Sequence, residues 1–73
     1  MGILRGVNGK KAINAFVRAG GIKRKKGKGD HTNIKMPNGM IITIPGDGEL
    51  KIGLLKSAIK RAGLTETEFL NLL

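Results

Sequence analysis

The chain has no cysteine, tryptophan or tyrosine, only two phenylalanines and a single histidine in 73 residues. The missing cysteines exclude disulfides and thiolate metal sites. One histidine and five carboxylates leave little from which to build a zinc or calcium centre, so no metal and no cofactor is expected. With so few aromatics, reading single-stranded bases by stacking is disfavoured, because Phe16 and Phe69 both fall at core positions. No apolar run approaches the ~20 residues needed to span a bilayer, and no basic amphipathic stretch carries the large aromatics of a membrane-surface helix. No signal-peptide pattern opens the chain, so a cytoplasmic protein without a membrane partner is expected. At this length a chain buries only about 60% of its unfolded surface, which predicts one thin-cored domain over residues 1–73.

Negative charge is also scarce. Fourteen Lys and Arg oppose five Asp and Glu, a formal charge of +9. The excess is concentrated in residues 1–35, which hold ten basic side chains and one acid, Asp30, whereas residues 36–73 hold four of each. A one-sided cationic surface of this kind favours a polyanion, since neutralising phosphates releases their counterions.

Periodicity predicts the elements. Residues 8–19 read as a helix capped by Asn8, with Ile13, Phe16 and Val17 as its apolar stripe and Gly20-Gly21 as its stop. Ile22 to Lys26 reads as a lysine-protected edge strand, and Gly27-Lys28-Gly29 as the hairpin that follows. From Asp30 to Met36 the side chains alternate. Thr32, Ile34 and Met36 face one way, and His31, Asn33 and Lys35 face the other. Pro37-Asn38-Gly39 is a turn, and Met40 to Ile44 is a third, more apolar strand. After the Pro45-Gly46-Asp47-Gly48 break, Leu55, Ala58, Ile59 and Ala62 mark a second helix over about 51–62. Thr65-Glu66-Thr67-Glu68 is a capping box that opens a short terminal helix carrying Phe69, Leu70, Leu72 and Leu73. The resulting α-β-β-β-α order, plus that last helix, predicts an α+β fold with a three-stranded antiparallel sheet, helices on one face and the other face open. The alternation places His31 on the open face; a slip of one residue would bury it instead.

An imidazole, with an ordinary pKa of about 6.5, can give or take a proton at neutral pH. RNA supplies its own nucleophile in the 2′-hydroxyl, so its cleavage needs only proton transfer and cations that steady a charged phosphorane. His31 is the candidate acid–base group. Lys23, Arg24, Lys25, Lys26, Lys28, Asn33 and Lys35 are the candidate RNA-binding residues. Metal-dependent scission would need clustered carboxylates. Cysteine nucleophiles are absent, and Ser57 lies mid-helix with no visible partner. The same residues also suit a non-enzymatic RNA-binding module or a small ribosome-associated subunit.

Several short motifs occur in a specific order. They are Gly9-Lys10-Lys11-Ala12-Ile13 with Ala19-Gly20, then Gly29-Asp30-His31, Pro37-Asn38-Gly39, Thr43-Ile44-Pro45 and Gly53-Leu54-Leu55. The last is Arg61-Ala62-Gly63-Leu64-Thr65-Glu66-Thr67-Glu68-Phe69-Leu70. Together they resemble the HicA family of toxins, the small partners in HicA–HicB toxin–antitoxin pairs. The resemblance implies a double-stranded-RNA-binding-like fold, an mRNA-cleaving endoribonuclease that blocks translation, His31 as its catalytic histidine, and a HicB-like antitoxin that masks the catalytic face. Three positions depart from the family pattern. Asp30 stands where Ser precedes the histidine, Leu54 replaces a common Thr, and the loop after Pro45 lacks a further histidine. The acid at 30 is expected to weaken phosphate binding, although strand alternation turns it away from His31.

Overall fold

A computed structural model describes residues 4, 6–24, 31–46 and 48–73. The elements run α1 (Gly9–Arg18), β1 (Ile22–Lys23), β2 (His31–Lys35), β3 (Ile41–Pro45), α2 (Ile52–Arg61) and α3 (Glu66–Asn71). The strands form one antiparallel sheet in the order β1-β2-β3. This is the α+β arrangement that the periodicity predicts.

The helix ends follow local chemistry. Asn8 Oδ1 accepts the Lys11 backbone N–H at 2.9 Å and caps α1. At α3 the capping box closes in both directions, with Thr65 Oγ1 accepting from Glu68 N–H and Glu68 Oε1 accepting from Thr65 N–H. Helix α1 differs from its expected stripe at one position. Ala12, Ile13, Ala15 and Phe16 are buried, whereas Val17 is 38% exposed. The buried face is centred on positions 9, 12, 13 and 16, which sets Val17 at its margin.

Strand β2 obeys the predicted alternation. Thr32, Ile34 and Met36 are buried against the helices, while His31 and Lys35 are exposed and Asn33 is half-buried. Ile42 and Ile44 of β3 join the buried side. The β2–β3 register is symmetric about Asn38, pairing His31 with Pro45, Asn33 with Thr43 and Lys35 with Ile41. Gly39, at φ +87°, supplies the left-handed residue that the turn requires. Asn38 braces this turn, as its Oδ1 accepts the Met40 N–H and its Nδ2 donates to the Arg61 carbonyl at 2.9 Å. The turn is thereby tied to the end of α2.

Helices α1 and α2 pack on the same face of the sheet, and α3 lies across both of them. Phe16 and Phe69 meet in the core with ring centroids 5.0 Å apart and planes inclined at 44°. Arg18 strengthens that end of the fold by donating from Nη1 to the Leu72 carbonyl at 2.7 Å. At the other end, residues 7–9 run beside 48–50. Leu50 N–H donates to the Val7 carbonyl, and Gly9 N–H donates to the Gly48 carbonyl. A Cβ on Gly9 would overlap the Pro45 carbonyl oxygen. Glycine at position 9 is therefore what lets α1 start against the end of β3, beside the residue that faces His31 across the sheet. The segments carrying Leu4, Val7 and Leu50 lie outside every predicted element, yet all three belong to the core.

Candidate functional site

The sheet face away from the helices is built in rungs. Residues directly opposite one another in paired antiparallel strands share a face. The first rung is Pro45–His31, the second is Thr43–Asn33, and the third is Ile41–Lys35–Ile22. Arg24 extends the second rung, because its backbone N–H donates to the Asn33 carbonyl at 2.7 Å. Rungs on one face lie two residues apart, roughly 6.6 Å.

His31 stands at one end of this face, on the central strand. Its ring is exposed, and no side chain among the described residues hydrogen-bonds to it. Lys23, Arg24 and Lys35 are exposed as well. Together with Ile22 and Asn33 they line an open groove of about 590 Å³ between β1 and β2. The groove combines three cations with one amide, a lining suited to an anionic chain. Ile22, 69% exposed, and Ile41, 46% exposed, flank Lys35 at the far end of the face.

Most of the predicted site residues therefore converge. His31, Asn33 and Lys35 form one row on the open face, with Arg24 beside Asn33, whereas Lys23 pairs with the buried Ile34 and reaches the groove from the sheet edge. Lys25, Lys26 and Lys28, with Asp30 and the predicted Gly27-Lys28-Gly29 hairpin, lie outside the described residues. Strand β1 comprises Ile22–Lys23 where the sequence predicted a strand to Lys26, whose last two residues fall in that same undescribed stretch. No three His, Cys, Asp or Glu side chains gather among the described residues.

Thr43 is the member of the face that residue-type reasoning passed over. Its hydroxyl donates to Asn33 Oδ1 at 2.7 Å. The signal was available, since counting outward from the Asn38 turn sets Thr43 opposite Asn33. A second groove runs between β3 and α2, lined by Ile41, Thr43, Leu54, Ser57 and Arg61 among others. The exposed cations of α2, Lys56, Lys60 and Arg61, and its N-cap Lys51 belong to the helix that covers the opposite side of the sheet from His31.

No helix among the described residues is long and apolar enough to cross a membrane. The family model for the HicA toxin of bacterial toxin–antitoxin systems matches residues 9–64, a span that runs from the start of α1 through the whole sheet and α2. Among curated proteins, none matches.

Proposed function

Since this chain belongs to the HicA family of bacterial toxins, we propose that it is an endoribonuclease that cuts mRNA without a metal ion and so blocks translation, with His31 as the general acid–base group. The observation that carries this reading is the exposed imidazole on the central strand of an open face, with Asn33 and Lys35 in its row and Lys23 and Arg24 along its border.

The chemistry follows from the substrate. The ribose 2′-hydroxyl loses its proton and attacks the adjacent phosphorus, and the bond from phosphorus to the 5′-oxygen breaks. The products are a 2′,3′-cyclic phosphate and a 5′-hydroxyl. His31 serves one of the two proton transfers, taking the 2′ proton or protonating the departing oxygen. Lys23, Arg24 and Lys35 hold the phosphate chain and oppose the charge that builds on the phosphorane. In this reading Lys25, Lys26 and Lys28 also bind the RNA. DNA lacks the 2′-hydroxyl and is not a substrate.

A toxin of this family works against an antitoxin partner. We take that partner to be HicB-like and acidic, lying over the open face in the cytoplasm. The exposed Ile22 and Ile41 beside Lys35 suit a protein cover as well as a nucleic-acid one.

The test is induction in cells. The wild-type chain expressed alone arrests growth, the chain with His31→Ala does not, and co-expression of an acidic protein encoded next to it relieves the arrest. Normal growth under wild-type induction would count against a toxin. Arrest that persists with His31→Ala would remove His31 from the chemistry and leave the non-enzymatic RNA-binding reading.

A further inference from the structure

We infer that Thr43 is a positioning residue, which turns the Asn33 amide so that its NH2 group faces a phosphodiester one nucleotide away from the bond beside His31. This inference rests on the RNA-cleaving reading above and adds to it a second phosphate subsite and the device that orients it.

An asparagine amide has two faces of opposite character. Its oxygen accepts hydrogen bonds and its nitrogen donates them. Left alone on a strand, the group can flip, and half of its orientations would present an oxygen to an anion. Here the Thr43 hydroxyl lies 2.7 Å from Asn33 Oδ1. In that bond the hydroxyl donates and the amide oxygen is occupied. Nδ2 is left on the side away from Thr43, and Asn33 lines the cationic groove that Thr43 does not line. The charged side chains that line the groove with Asn33, those of Lys23, Arg24 and Lys35, carry donors and no acceptor.

Spacing identifies what occupies it. Asn33 sits one rung from His31, roughly 6.6 Å along the strand, which matches one step of an extended ribose–phosphate backbone. With the scissile phosphate at the first rung, the neighbouring phosphate falls at the second. The amide–hydroxyl pair could instead serve the sheet alone, as cross-strand polar pairs do. The two roles separate experimentally.

The experiment measures binding of a short single-stranded RNA by the full chain in a His31→Ala background, where the RNA stays intact. Asn33→Ala is expected to weaken binding about tenfold, the scale of one hydrogen bond to a charged group. Thr43→Val, which keeps shape and removes the hydroxyl, is expected to weaken it about three- to tenfold, and Thr43→Ser to bind as the parent does. Adding Thr43→Val to Asn33→Ala is expected to cost nothing more, because Thr43 acts through Asn33. Additive losses, a neutral Thr43→Val, or a Thr43→Ser as weak as Thr43→Val would overturn the proposal. Thermal unfolding of the same proteins gives the structural comparison, and Thr43→Val should stay close to the parent. A parent that binds no RNA at all would overturn this inference together with the RNA reading. A parent that binds, beside a wild-type chain that cuts, confines any failure to Thr43.

Discussion

The cationic face makes a quantitative prediction about salt. Lys23, Arg24 and Lys35 are exposed and line the groove beside His31. For single-stranded nucleic acid, the logarithm of the binding constant falls with the logarithm of salt by about 0.7 for each phosphate neutralised. Replacing all three residues by alanine should therefore flatten the slope by about 2. Between about 50 and 200 mM salt, the parent should lose roughly 20-fold more affinity than the triple variant. The assay is fluorescence anisotropy with a labelled RNA in the His31→Ala background, so that cleavage does not intervene. The matched control removes Lys51, Lys56 and Lys60 from α2 and its N-cap, the same number of charges on the helix that packs against the other side of the sheet. Both variants change the net charge equally, and only the first removes contacts under the proposed path of the RNA. An α2 triple that flattens the slope as much as the sheet triple does would refute a role for this face. Equal effects would mean that the whole +9 charge, rather than this face, attracts the RNA.

Two further predictions concern the framework that holds the face. Phe69 is fully buried against Phe16, so Phe69→Ala should cost about 3–5 kcal/mol. Against a total of about 4–11 kcal/mol for a chain of this size, the melting temperature should fall by at least about 12 °C, and a shift below about 4 °C would show that α3 adds little to the core. Gly9→Ala forces a methyl into the Pro45 carbonyl and should destabilise by about 1–3 kcal/mol despite alanine's better helix propensity. Gly53→Ala in α2 meets nothing within 4 Å and should hold or raise the melting temperature; equal behaviour of the two variants would contradict the close approach.

Much of this arrangement can be read in the sequence because the strands carry a period of two over one buried face. Thr32, Ile34 and Met36 could satisfy that burial only with His31, Asn33 and Lys35 on the other side, and the Pro37-Asn38-Gly39 turn fixed the register. The Thr65–Glu68 capping box was equally legible, being a local contact between fixed positions. What escaped the sequence depends on contacts between distant segments. Val17 lies at the margin of the buried face because the small side chains of Ala12 and Ala15, which carry little hydrophobic signal, hold the positions nearest the core. Leu4, Val7 and Leu50 belong to no periodic run, and the burial of Val7 and Leu50 follows from the pairing of residues 7–9 with 48–50. Thr43 was passed over for a related reason. An exposed threonine on a strand looks like ordinary β-propensity until the hairpin register sets it across from an amide.

In the proposed reaction the exposed His31 imidazole, beside a cationic groove, carries out proton transfer on RNA. The measurement that tests it most directly compares cleavage of one RNA by purified wild-type chain and by His31→Ala, both in EDTA, with the ends of the products identified. The wild type is expected to cut and to leave 5′-hydroxyl ends. His31→Ala is expected to keep its fold and to cut at least about 100-fold more slowly, the lower bound for loss of a general acid–base group. Equal rates for the two proteins, or cleavage by the wild type only when a divalent metal is restored, would contradict it.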